Sequence, residues 1–287
     1  MVARKAHKLS AGLLLAQWRH RFTGGRLLRG AFRPAPPVIS PAALASPVLR
    51  SQPYCVRLAE TDHERRAAFR LRFRVFNLEM NEGLESSYQT GEDTDGFDAL
   101  CDHLIVRHEP SDEIVGTYRL QTGITASRNL GYYSAREFQF KPYEHLRAQI
   151  VELGRACIHP DHRKYEVLIL LWKGIARYAM ARNARYLIGC SSIQGQDVAL
   201  GSAMYEKLRP MLVPEGLRTL PQSSYAFPLS GANADVHPPK LLRTYLTVGA
   251  RICGPPAIDR DFGTIDFLTL MDLNNLSPAV RSRFMET

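Results

Sequence analysis

The stretch from Ile150 to Ser191 constrains the fold more than any other part of the chain. Ile150 to His159 reads as a strand, Tyr165 to Ala181 as a long apolar helix, and Tyr186 to Ser191 as a returning strand. A strand, a helix and a strand in immediate succession make a βαβ-like unit, in which the helix is buried against a sheet. The chemistry-bearing residues are densest where this unit turns from its first strand into its helix, at Val151-Glu152-Leu153-Gly154-Arg155-Ala156-Cys157-Ile158-His159-Pro160-Asp161-His162-Arg163.

The other patterns extend that unit into a mixed fold. Tyr54 to Ala59 reads as a strand. Thr61-Asp62-His63-Glu64 has the S/T-x-x-E spacing of a capping box and predicts a helix to about Met80, with Phe69, Phe73, Phe76 and Met80 on one face. Asp102 to Glu109 and Glu113 to Thr122 are apolar-rich runs joined by Pro110-Ser111-Asp112, the pattern of a β-hairpin. A helix near Pro239 to Val248, a Gly254-Pro255-Pro256 turn and a strand around Ile265 to Met271 follow. The expected class is α/β (α+β), a mixed twisted sheet with flanking helices. The expected organisation is an extension over 1–53, a domain over 54–275 and a tail over 276–287.

Charge separates the extension from the domain. Residues 1–59 hold ten Lys or Arg and no Asp or Glu, which leaves 27 basic against 28 acidic residues in the remainder. Duplex binding needs phosphate-facing cations on the folded unit, so this partition argues against nucleic acid as a partner. Residues 5–22 mix Leu9, Leu13, Trp18 and Phe22 with Lys5, Lys8, Arg19 and Arg21, as a helix lying on an anionic membrane surface would. The same Arg-rich, acid-free character also suits a transit peptide. Six prolines between 31 and 53 make a linker composition. The longest apolar run of the extension, Ala11 to Ala16, is far short of the ~20 residues of a spanning helix. Location is expected to be cytoplasmic or peripheral to the inner membrane. The five cysteines form no CxxC pair, and His159 and His162 lack companions, so no metal is expected.

The strand, then Ile158-His159-Pro160-Asp161-His162-Arg163, then helix and strand, resembles the core of the GNAT acyltransferase fold. In that fold the central strand splays from its neighbour and frees backbone groups for a thioester arm. The Gly-rich pyrophosphate loop of that fold is replaced here by Arg163-Lys164-Tyr165-Glu166-Val167, which favours a single phosphate over coenzyme A. Four further segments occur in order: Arg72-Phe73-Arg74-Val75-Phe76, Asp95 through Leu104, Gly116-Thr117-Tyr118-Arg119-Leu120 and Glu152-Leu153-Gly154-Arg155. Together with Pro238 through Leu242 and Gly254-Pro255-Pro256-Ala257-Ile258-Asp259, they are similar to the ornithine-lipid N-acyltransferases. Acyl-homoserine-lactone synthases share a looser version.

The resemblance implies acyl transfer to an amine, with the acyl-phosphopantetheine thioester of acyl carrier protein as co-substrate, no bound cofactor, and a small amino acid, L-ornithine, as acceptor. The product would be a lyso-ornithine lipid, with an acyl-homoserine-lactone or another N-acyl amino acid as the alternative. A non-enzymatic docking module built on the basic tail is the reading from a different class.

Aminolysis of a thioester needs a base for the amine proton and donors for the developing oxyanion. Glu152 is the leading base, because a carboxylate on a splayed central strand is desolvated; a core ion pair with Arg119 or Arg155 is the competing role. Asp98 and His103 are the next catalytic candidates, His103 equally as a hydrogen-bonded structural histidine. Arg72 falls on an apolar arc, where it must meet an anion: the substrate carboxylate, or Asp95 and Asp98. Arg119 and Arg155 join it as substrate-binding candidates, with Asp95. Glu92, Asp95 and Asp98 near Arg72 are expected to hold a cationic acceptor side chain. Arg163 and Lys164, at the helix entrance, suit the phosphopantetheine phosphate or form a solvated charge cluster.

Overall fold

The computed structural model describes residues 48–231 and 235–285. The basic segment over 5–22 and the linker up to residue 47 lie outside the described residues. The strands are β1 (Leu49–Ser51), β2 (Tyr54–Leu58), β3 (Asp102–His108), β4 (Glu113–Thr122), β5 (Ile150–Ile158), β6 (Tyr186–Gln194), β7 (Arg251–Ile252), β8 (Ala257–Asp259) and β9 (Thr264–Asp272). They form one sheet in the order β1-β2-β3-β4-β5-β6-β9-β7, with β8 added on β9. The pairing of β5 with β6 is parallel and the other pairings are antiparallel. The α-helices are α1 (Asp62–Phe73), α2 (Gly123–Arg128), α3 (Tyr165–Ala181), α4 (Val198–Leu208), α5 (Lys240–Thr247) and α6 (Pro278–Met285). The expected class holds: a mixed α/β architecture with a large sheet and flanking helices.

The βαβ unit is β5-α3-β6. Apolar residues around α3 pack on alternate residues of the strands beneath it, with Leu171 and Ile175 buried among Leu104, Val106, Tyr118 and Leu120. Helix and sheet approach closely at Gly174, where a Cβ would lie 2.9 Å from Leu104 Cδ2 and 3.1 Å from Val56 Cγ2. Truncating Ile175, which is fully buried, is expected to cost about 2–5 kcal/mol. The α6 helix closes this core from the other side, burying Val280 and setting Phe284 against Trp172. The sheet also takes in residues before Tyr54, since Leu49 pairs with Val56.

Helix α1 begins as its capping box requires: the Glu64 amide donates to Thr61 Oγ1 at 3.2 Å and the Thr61 amide to Glu64 Oε2 at 3.2 Å. The α-helix stops at Phe73, however, and Arg74–Glu79 is a π-helical turn. The expected Phe69, Phe73, Phe76, Met80 face is not the buried one, and the buried stripe is already set before the π turn begins. Ala68, Leu71, Arg72 and Val75 are buried instead. Single π turns recur where a helix bends to serve a site, and here Val75 and Phe76 reach a cavity wall.

Candidate functional site

The parallel ladder between β5 and β6 has only three registered pairs, Ile150↔Tyr186, Val151↔Leu187 and Glu152↔Ile188. Beyond Glu152 the strands part, while β6 continues along β9 to Gln194. On its other side β5 is bulged. Thr117 faces Cys157 and Arg119 faces Gly154, so Tyr118 stands against the two residues Arg155 and Ala156. Arg155 takes the extra position with φ at +51°, a conformation that costs a non-glycine residue about 1–3 kcal/mol and is held by its surroundings.

A cavity of about 710 Å3 opens at this split, within the ~300–1,000 Å3 range of small-molecule sites. It touches both faces of the sheet. Leu168, Leu171, Trp172 and Tyr245 give it an apolar arm, and Arg119, Glu152, Arg155, Asp259 and Asp266 give it a charged one. Glu152 stands at the end of the ladder, 4% exposed. Its oxygens accept hydrogen bonds from the amides of Tyr133 (2.9 Å) and Ser134 (2.8 Å). Burial pushes its proton affinity up, and the two amides restrain that rise without cancelling it. Among the described residues no arginine forms an ion pair with it, and Arg119 and Arg155 pair with Asp93, Asp95 and Asp98 instead.

Four of the expected site residues lie behind the cavity wall and do not line it. Arg72, 1% exposed, donates through both terminal nitrogens to Asp98 (2.7 and 2.9 Å) and through Nε to Asp93 (2.7 Å). Asp98 also accepts from Arg119 (3.2 Å) and from the Asp95 amide (2.8 Å). Burial opposes ionisation of Asp98, but Arg72 and Arg119 outweigh it and hold the carboxyl well below the usual range. Such a group is a poor proton acceptor at neutral pH. His103 Nε2 is 2.9 Å from the Asp98 carbonyl oxygen, and burial lowers its proton affinity. Asp95 binds Arg119 (2.6 Å) and Arg155 (3.0 Å). Thus Arg72 meets internal carboxylates.

The expected acidic patch for a cationic substrate is likewise neutralised. Glu92 pairs with Arg66 and Arg70, both at 3.0 Å, and Asp95 and Asp98 are occupied as above. Arg119 and Arg155 do line the cavity, each with its guanidinium 5.0 Å from the Tyr133 ring. Arg163 and Lys164 line its mouth at the start of α3, but Arg163 is already bound bidentately to Glu79 (2.6 and 2.7 Å). Lys164 is exposed.

Sequence reading missed the carboxylates on the far side of the charged arm. Asp259 and Asp266 line the cavity and Glu137 abuts it, all three buried, and Glu82 sits at the wall half-buried. Burial, reinforced by Asp266, brings the Glu82 carboxyl to about 7. One ligand atom each from Glu137, Cys190 and Asp266 lie within 4.8 Å of one another, a set that could take a cation. Burial first, then the adjacent carboxylates, keep the Cys190 thiol protonated, which weakens it as a metal ligand. The available signal was Asp266 itself, a carboxylate inside an apolar strand.

Similarity to known proteins makes the chain an acyltransferase. A family model described as an acetyltransferase (GNAT) domain matches residues 71–173. The chain is 32% identical over 241 residues to the L-ornithine N(alpha)-acyltransferase of Rhodobacter capsulatus, spanning 78% of this chain and 92% of that one. It is 34% identical over 241 residues to the enzyme of the same name from Brucella abortus, spanning 77% and 85%. An N-acyl amino acid synthase from uncultured soil microbes aligns with a TM-score of 0.49 at 12% identity, over 81% of this chain and 95% of that one. The chain belongs to the family of L-ornithine N(alpha)-acyltransferases.

Proposed function

We propose that the protein transfers a fatty acyl chain from the phosphopantetheine thioester of acyl carrier protein to the α-amino group of L-ornithine, giving a lyso-ornithine lipid. The observation that carries this reading is the desolvated Glu152 carboxylate, held by the Tyr133 and Ser134 amides at the fork of β5 and β6, inside a cavity with one apolar and one charged arm. The relatives' names supply the acceptor.

In this reading Glu152 takes the proton from the α-ammonium and the freed nitrogen attacks the thioester carbon. As the amide forms, the attacking nitrogen gives up a second proton; the C–S bond breaks, one of the two protons passes to the departing thiolate and the other is released to solvent. Backbone groups released by the split of β5 from β6 are assigned to the thioester oxygen. The acyl chain lies along Leu168, Leu171 and Trp172, and Arg119 and Arg155 face the acceptor carboxylate. Arg72, Asp95, Asp98 and His103 act as a brace behind them.

Donor choice rests on the α3 entrance. Lys164 and the first amides of α3 suit one phosphate, with no glycine loop for a pyrophosphate. Arg163 contributes only by loosening from Glu79. No helix among the described residues is long and apolar enough to cross a membrane. Contact with the inner-membrane surface is assigned to the basic segment over 5–22, through anionic lipids.

The test is incubation of purified protein with equal concentrations of acyl carrier protein thioester and acyl coenzyme A, with L-ornithine as acceptor. Mass spectrometry should find N-acyl ornithine with a free δ-amine, formed preferentially from the carrier thioester. Preference for the coenzyme A donor contradicts the donor assignment, and absence of an acyl ornithine contradicts the reaction.

A further inference from the structure

The charged arm ends in carboxylates that have no cationic partner in the protein. Glu137, Asp259 and Asp266 are 2%, 5% and 5% exposed, and among the described residues none of them forms an ion pair with Lys or Arg. Asp259 accepts from the amides of Asp261 (2.9 Å) and Phe262 (3.2 Å), and Asp266 from Thr264 Oγ1 (2.9 Å). These bonds fix the carboxylates without neutralising them. The three come from separate elements: Glu137 from the segment after Ser134–Arg136, Asp259 from the end of β8, and Asp266 from β9 opposite Ser192 of β6.

A second observation points to a ligand in the same cavity. Gln121, cross-strand neighbour of Glu152, lines the cavity and is 2% exposed. Its Nε2 donates to the Gly131 carbonyl oxygen at 3.1 Å, but its buried Oε1 has no hydrogen-bond partner. An acceptor beside Glu152 and carboxylates farther along the arm call for a molecule with two separated N–H donor groups. The connection between the two ends is short. Ser134, whose amide holds Glu152, also bonds Cys190 through its side chain, and Cys190 Sγ is 3.8 Å from Glu137 Oε2.

We propose that Glu137, Asp259 and Asp266 form the subsite for the side-chain ammonium of the amino-acid acceptor, setting specificity for a diamino acid while Glu152 and Gln121 receive its α-amine. This rests on the acyltransfer reading above and names the residues that choose the acceptor. An ammonium supplies several N–H donors to oxygens already ordered by the protein. It also takes the place of the proton between Glu137 and Asp266, which burial first and the neighbouring carboxylates next hold more tightly than usual.

The experiment is calorimetric titration of the full chain, without acyl donor, with L-ornithine and with L-norvaline, which has the same carbon chain and no δ-amine. Ornithine should bind about 10- to 100-fold more tightly to the wild type, as expected for hydrogen bonds to a charged group. That preference should fall toward unity in Asp266→Asn and in Glu137→Gln, with norvaline binding little changed. Equal binding of the two amino acids to the wild type, which requires no variant to fold, overturns the proposal. So does an unchanged preference in folded Asp266→Asn and Glu137→Gln. A parallel titration with zinc separates the other occupant: tight zinc binding that blocks ornithine and needs Cys190 also overturns it. Retained ornithine preference with no acyl product overturns the acyltransfer reading and leaves the subsite standing.

Discussion

Arg72 and Asp98 form a bidentate ion pair with N–O distances of 2.7 and 2.9 Å, at 1% and 6% exposure. The pair sits at the centre of a network with Asp93, Asp95, Arg119 and Arg155, which ties α1 and the segment before β3 to β4 and β5. Removing one member leaves its partner buried and uncompensated. Arg72→Met is therefore expected to cost about 3–5 kcal/mol. Urea denaturation should show that drop in the transition midpoint, and a variant as stable as the wild type would contradict the bracing role.

Acid should unfold the protein through this network. Asp95 and Asp98 are held below the ordinary carboxylate range, Asp98 by Arg72 and Arg119 acting against burial. Glu64, hydrogen-bonded by Arg57, lies near 2. Groups with lowered folded values contribute stability above about pH 4, and lose it as pH falls through their folded values. Melting temperature should fall steeply below about pH 4, and a flat profile to pH 2 would count against the network.

Asp266 predicts the opposite slope. Its proton affinity is raised in the fold, by burial first and Asp259 next, so the unfolded chain releases that proton at lower pH. Stability is then lost as pH rises past about 4 toward neutrality. Asp266→Asn removes this cost. It should melt above the wild type at pH 8, with the gap closing near pH 4, as thermal scans at both values will show.

Gly189 marks the fork of the sheet. A Cβ there would lie 2.3 Å from the Leu153 carbonyl oxygen, a backbone atom that cannot swing aside. Gly189→Ala should force β5 and β6 further apart, cost about 1–3 kcal/mol and lower turnover. Wild-type stability together with wild-type kinetics would show that the spacing at the fork is not set there.

The elements legible in the sequence are those whose signals are local. The capping box at Thr61, the turn at Pro110-Ser111-Asp112 and the apolar run of α3 each declare themselves within a few residues, and each appears in the structure. The π turn after Phe73 was not legible, because a 3.6-residue period assumes an undisturbed helix. Helix α4 escaped notice because Gly201 and Ser202 dilute its pattern, although Asp197 caps it by accepting from the Ala199 amide at 2.9 Å. Glu152 could be singled out because a carboxylate on a central strand is unusual in itself. Its amide donors, Tyr133 and Ser134, and the Glu137, Asp259 and Asp266 cluster are assembled by the sheet from distant segments, which no spacing rule connects.

The proposed proton transfer depends on Glu152, and its direct measurement is the turnover of Glu152→Gln with acyl carrier protein thioester and L-ornithine. Glutamine keeps the size of the side chain and can still accept from the Ser134 amide, but it cannot take the ammonium proton. Turnover should fall by about 10²–10⁴, while the Tyr133 amide, left without its acceptor, costs about 1–3 kcal/mol of stability without unfolding the chain. A folded Glu152→Gln enzyme working at close to the wild-type rate would contradict the assignment of Glu152 as the base.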